Sequence, residues 1–246
     1  MSLALHESHT KAPGHTHPAQ FPPAVQQESP RHPYYNANRN IADKIERWLG
    51  EDGHRAWGLV IYRSTYKSNT EWEKFMHRLL ADTTESLESM AGPGLLDNLA
   101  LTIFEDLERF DNASTTVIRD HFKQWVSTAI LVEQGPEIDT IPLRAIRSQR
   151  YRYCIQITQE MVDSVLGGKS ESMPIVRIIR RDWEEYSPYQ DGFRLEDVEE
   201  PIEGCTLEDV GWMNVPFESV MFQTYSYLRG EWETEYRRPP WISCYP

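Results

Sequence analysis

The residues best equipped for chemistry are arginines at the ends of apolar runs. Arg63 and Tyr66 follow one such run, Arg150 and Arg152 open a second, and Arg177 and Arg180 belong to a third. A guanidinium offers N–H donors in a planar fork and takes a carboxylate or phosphate bidentately, so arginines on a rigid sheet can form an anion site. Alternate residues of a strand share a face, which sets Arg150 and Arg152 side by side. Arg63, Tyr66, Arg150, Arg152 and Arg180 are therefore the candidate ligand-binding residues, and a small anionic ligand matches their chemistry. The competing expectation is internal neutralisation. Between Asp182 and Asp209 there are eleven acidic residues against the single basic Arg194, and the preceding stretch from Arg144 to Arg181 is rich in arginine. The two segments can pair with each other.

Other chemistries find less support. Gly167-Gly168-Lys169-Ser170 resembles the end of a phosphate loop, but Asp163 stands where the first glycine belongs. The segment also closes a helix where a phosphate loop must open one. Neither G-x-S-x-G nor G-x-G-x-x-G occurs. His6, His9, His15 and His17 could bind a metal only adventitiously, because a flexible tract must first be ordered. Glu105, Asp106 and Glu108 read as solvated acids. His121 reads as a hydrogen-bonded core residue and Cys154 as a buried, inert thiol. No catalytic residue, metal ligand or cofactor is assigned.

The elements that would hold the arginines follow from periodicity. Residues 1–38 are rich in proline and histidine and lack tryptophan, which predicts a disordered tail before a single domain over 39–246. Asn40 caps a helix with Ile41, Ile45, Trp48 and Leu49 inward and Gly50 as its stop. Trp57 to Arg63 alternates as a strand. Ser68 and Glu71 form a capping box for a helix carrying Trp72, Phe75, Leu79 and Leu87, and Leu99 to Phe104 is a second strand. Ser114 caps a further helix with Ile118, Phe122 and Val126 inward. Arg150 to Ile157 is a third strand with one buried and one polar face, Thr158 to Leu166 a short helix, and Ile175 to Arg180 a fourth strand. The acidic stretch reads as a long loop, and Pro216 opens a last helix. This order predicts an α+β fold, a ferredoxin-like split βαβ sheet with an inserted helix and a C-terminal helical extension.

Composition bounds the function classes. The chain is 39% hydrophobic with eight tryptophans, enough for a sizeable core, and its apolar runs are too short to span a bilayer. A net charge of −13 disfavours nucleic acid and anionic membrane as partners. Three widely spaced cysteines and no signal-like start predict a cytoplasmic or nuclear protein, not a secreted one.

Several stretches resemble an uncharacterised protein family of filamentous ascomycete fungi. They are Trp57 to Tyr66, Trp72 to Met76, Ile118 to Phe122, Tyr151 to Ile155, Gly211-Trp212-Met213 and Arg238-Pro239-Pro240. The resemblance covers the chain from about Asn40 onward and implies no established reaction. The leading expectation is an intracellular interaction or regulatory module without catalysis of its own, with a protein or a small anionic ligand as partner and homodimerisation compatible with it. The alternative is a cofactor-independent enzyme acting on a small fungal metabolite in a pocket on the sheet face. RNA binding on an open sheet face is disfavoured by the acidity and by the absence of an RRM aromatic signature.

Overall fold

The structure, a computed structural model, describes residues 40–135, 147–167, 173–185 and 199–244. The expected tail over 1–38 and the glycine-lysine stretch from Gly168 to Ser170 lie outside the described residues. In chain order the main elements are α1 (Ile41–Asp52), β1 (Val60–Arg63), α2 (Asn69–Ser89), β2 (Ile103–Phe104), α3 (Leu107–Phe110), α4 (Thr115–Gln134), α5 (Gln149–Arg152), β3 (Tyr153–Ile157), α6 (Gln159–Leu166), β4 (Ile175–Arg180) and β5 (Trp212–Pro216). A run of 3₁₀, π and α turns over 217–227 and the short α7 (Trp232–Glu235) complete the chain.

Side-chain caps fix where the long helices begin. Asn40 accepts from the Asp43 amide at 2.9 Å, Ser68 from Glu71 at 3.2 Å and Ser114 from Val117 at 3.4 Å. Each bond satisfies an amide that has no partner inside its helix. Helix α1 runs past Gly50 and stops at Gly53, whose φ of 67° is left-handed and lets its amide bond back to the carbonyls of Leu49 and Gly50. Gly53 takes the left-handed turn that ends the helix, while Gly50 remains within it.

The five strands form one mixed sheet in the order β2-β1-β3-β4-β5. Strand β1 pairs in parallel with β2 (Ile61 opposite Ile103) and with β3 (Ile61 opposite Ile155), while β4 and β5 add antiparallel. This corrects the expected split βαβ order, in which a third strand lies between the two strands joined by the first helix. Here β1 and β2 touch directly, and β3 lies on the far side of β1. The fold is mixed α and β with an open five-stranded sheet. Strand β5 is an element that periodicity does not predict; it ends at Pro216, where the sequence pattern expects a helix to open.

Both faces of the central strands are covered. Ile61, Ile155 and Ile157 pack with Phe75, Leu79 and Leu87 of α2, and Val60, Tyr62 and Cys154 pack with Ile118, Phe122 and Val126 of α4. Every residue of β1 and β3 is buried, so the expectation of a polar face on the third strand fails. That strand also starts later than predicted, at Tyr153, because Ser148 accepts from the Arg150 amide and caps the single helical turn α5. Arg150 and Arg152 therefore do not stand side by side on a strand. Among the described residues no helix is long and apolar enough to cross a membrane.

Phe75 is fully buried between Trp72, stacked at 5.9 Å, and Phe217 at 5.0 Å. Phe75→Ala removes that packing and should cost roughly 3–5 kcal/mol in urea denaturation. A change below ~1 kcal/mol would mean that α2 does not carry the core.

Candidate functional site

The sequence-derived arginines scatter over the fold. Arg63 and Tyr66 do come together at the carboxyl end of β1, where the guanidinium lies 4.5 Å from the Tyr66 ring centre and 5.0 Å from that of Trp72. Its Nε donates to the Thr65 carbonyl at 2.8 Å, one Nη donates to Asn69 Oδ1 at 2.6 Å, and the other faces Glu105 at 3.8 Å. The Thr65 hydroxyl donates to Gln159 Oε1 and bridges the gap between β1 and β3. In open sheets the crevice at the carboxyl ends, where successive crossovers diverge to opposite faces, is the usual ligand position. Here side chains of the chain itself meet across it.

Arg180 pairs with Glu233 at 2.9 Å and Asp209 at 3.7 Å, Arg177 with Glu203 at 2.8 Å, and Arg181 with Asp182 at 2.7 Å. Most of these carboxylates belong to the acidic stretch, so this part of the internal-neutralisation expectation holds. Arg152 lies over the Tyr153 ring at 5.1 Å.

Arg150 departs furthest from expectation. It is fully buried, and its partner is Glu133 near the end of α4, outside the acidic stretch. Its Nε and one Nη2 hydrogen grip the two Glu133 oxygens at 2.7 and 2.6 Å. Nη1 donates to the carbonyls of Gly58 and Ala100 at 3.1 and 2.9 Å, and Nη2 also donates to Thr102 Oγ1 at 2.6 Å. A guanidinium has five N–H donors, so none remains for a ligand. Burial works against its charged form, but the Glu133 carboxylate outweighs that and raises its pKa. The Tyr151 hydroxyl donates to Glu133 at 2.7 Å and accepts from Gln134 at 2.5 Å, extending the network.

Beside this network, between α1 and the 217–227 turns, lies a cleft with about 200 Å³ of empty space counted out to solvent. The part of it that a water-sized sphere can enter holds one water molecule at most. Ile45, Trp48 and Leu49 of α1 form an apolar wall. The polar lining is His54, Ser148, Gln149, Tyr225 and the ion pair of Asp52 with Arg229, whose contacts are 2.5 and 3.1 Å. His54 is only 1% exposed, its Nε2 has no hydrogen-bond partner, and the Tyr151 ring meets its edge at 6.0 Å. An orphaned buried nitrogen is costly, so it marks a place where something polar belongs. Burial, opposed by Asp52 and reinforced by Arg229, lowers the His54 pKa to about 4, and the ring is neutral at pH 7.

Sequence reasoning passed over His54, Ser148 and Arg229. His54 follows the Gly53 helix stop and has no periodic pattern around it. The signal available was its closeness to Asp52, a titratable pair at the end of an apolar stripe. His121 is half-buried, with Nδ1 2.7 Å from the Tyr62 hydroxyl, as a hydrogen-bonded histidine should be. Cys154 is buried, and burial pushes its thiol well up, which suits an inert role. Among the described residues no group of three or more His, Cys, Asp or Glu is placed to hold a metal ion. Comparison with protein-family models, curated proteins and solved structures finds no match.

The neutral His54 makes stability depend on pH in a defined direction. Its folded pKa lies below its unfolded value of 6.5, so the unfolded chain binds the extra proton as pH falls. Stability is then complete above pH 6.5 and falls between there and pH 4. From pH 7 to pH 5 the His54 contribution should be a loss of roughly 2 kcal/mol. Urea denaturation of His54→Gln should show a correspondingly smaller loss over the same interval. Equal losses in the two proteins would contradict a buried neutral imidazole.

Proposed function

We propose that the chain is a binding module with no catalytic step of its own, and that it takes a small ligand in the cleft around His54. The observation that carries this reading is the unpartnered, buried Nε2 of His54, a residue that lines the cleft together with Ser148, Gln149, Tyr225 and the Asp52–Arg229 pair. A concave site with an apolar wall, a few placed polar groups and a perturbed histidine has the general form of a small-molecule site. Of the arginines that suggested an anionic ligand, Arg63, Arg150, Arg177 and Arg180 face carboxylates of the chain and favour it less, and Arg152 lies over the Tyr153 ring. Three free thiols support an intracellular setting, where cysteines stay reduced.

A cofactor-independent enzyme acting on a small metabolite is the second reading, and the same nitrogen favours it. A neutral imidazole beside the hydroxyls of Ser148 and Tyr225 is a candidate proton acceptor. Its pKa of about 4 weighs against that role, since an efficient general base titrates near the working pH.

A fragment screen followed by amide and indole NMR shifts tests the proposal. Perturbations should cluster on Ile45, Trp48, His54, Ser148 and Arg229, and His54→Gln should abolish them. Perturbations confined to Arg63, Tyr66 and Glu105 would place binding at the carboxyl edge of the sheet instead.

A further inference from the structure

Building on the binding reading above, we infer that the ligand of the His54 cleft is an uncharged molecule, one that sets a single hydroxyl, carbonyl or amide group against His54 and lays an apolar body along Trp48 and Ile45.

The charge balance of the cleft argues for this first. Asp52 and Arg229 neutralise each other at its rim, and both Asp52 oxygens already take Arg229 hydrogens. Beneath it Glu133 and Arg150 form a second closed pair. His54 is neutral between them. A ligand carrying either charge would lose its hydration and find no unmatched counter-charge, which disfavours both signs.

Hydrogen-bonding capacity points the same way. His54 Nε2 is free. Ser148 Oγ makes only long contacts, 3.3 Å to the Tyr225 hydroxyl and 3.3 Å to the Arg150 amide, so its hydroxyl has capacity to spare. Groups of this kind give or take a hydrogen bond without requiring a charge on the partner. The space a water-sized sphere can enter holds one water molecule at most, so a ligand sets only a single hydroxyl, carbonyl or amide oxygen there. The remainder of the ligand must then lie in the open part of the cleft, against the α1 wall. The Arg229 guanidinium is 5.4 Å from the Trp48 ring centre and flanks that position.

Benzamide, benzoate and benzamidinium have nearly the same shape and differ in charge at pH 7, so they separate the possibilities. Each is titrated into the full chain, with the Trp48 indole and His54 ring resonances as readout. Benzamide should bind at least tenfold more tightly than either charged probe. His54→Phe should weaken benzamide at least fivefold with the near-ultraviolet circular dichroism unchanged. Should that variant unfold, Ser148→Ala supplies the same comparison, with at least a twofold loss. Benzoate or benzamidinium binding as tightly as benzamide would overturn the inference and leave the cleft standing as a binding site. So would benzamide binding that neither variant weakens. If none of the three shifts either resonance up to about 10 mM, the cleft holds no more than a water, and both the inference and the binding reading fail.

Discussion

Arg150 carries a charge into the interior at the amino edge of the sheet, and the surrounding chain is arranged to compensate it. An unpaired ion there would cost several kcal/mol, so each of its hydrogens needs a partner. Those partners come from four places in the sequence: Glu133 near the end of α4, the carbonyl of Gly58 ahead of β1, the carbonyl of Ala100, and the hydroxyl of Thr102 ahead of β2. One side chain therefore ties the approach to β1, the approach to β2 and the last turn of α4 to the entry of β3. Gly58 shows how tight the junction is. Its φ of 99° strains any residue with a side chain, and a Cβ there would also press on Leu99 Cδ1 at 2.7 Å. The cleft rests on the same assembly, because Tyr151 bonds Glu133 with its hydroxyl and supports His54 with its ring.

The acidic stretch plays a different part. Glu203 stands at a hairpin tip with a φ of 51°, between Ile202 and Cys205, which exchange both backbone hydrogen bonds. Its carboxylate accepts from the Thr115 hydroxyl at 2.7 Å and from Arg177 at 2.8 Å. Arg177 in turn lies over the Trp212 ring at 3.8 Å. Partly exposed pairs of this sort add little stability singly. The segment is held more firmly by burial of Cys205 and Val210 against the α4 side of the sheet, and by Arg238, which donates to the carbonyls of Glu200 and Leu207. Basic and acidic neighbours in the sequence thus become two layers of one surface.

How much of this was legible depended on whether the deciding interaction was local. Asn40, Ser68 and Ser114 announce their helices because a cap acts within three residues. The alternation of Trp57, Leu59 and Ile61 against Val60 and Tyr62 separated the two layers correctly. Strand order was not legible, since nothing local says that β3 lies beside β1 on the side away from β2. Strand β5 escaped because its five residues follow an acid-rich stretch and end in Pro216. Arg150 was misplaced because the alternation of Tyr151, Tyr153 and Ile155 extends smoothly backward, while Ser148 turns the chain into a helix there. Glu133 resembles any solvated residue near a helix end, and its role comes from a partner far along the chain. His54 carries no periodic signal, and only the folded chain brings it into one cleft with Ser148, Tyr225 and Arg229.

The buried Glu133–Arg150 pair holds the amino edge of the sheet together. A double-mutant cycle with Glu133→Gln and Arg150→Met, read as unfolding free energy in urea at pH 7, tests it most directly. Glu133→Gln keeps the shape and removes the charge, leaving Arg150 buried and uncompensated, and should cost roughly 3–5 kcal/mol. Arg150→Met should cost a similar amount, and the double variant should be less destabilised than the two losses added, with a coupling of at least ~2 kcal/mol. A loss below ~1 kcal/mol for Glu133→Gln, with no coupling in the cycle, would show that the pair is not what the fold depends on.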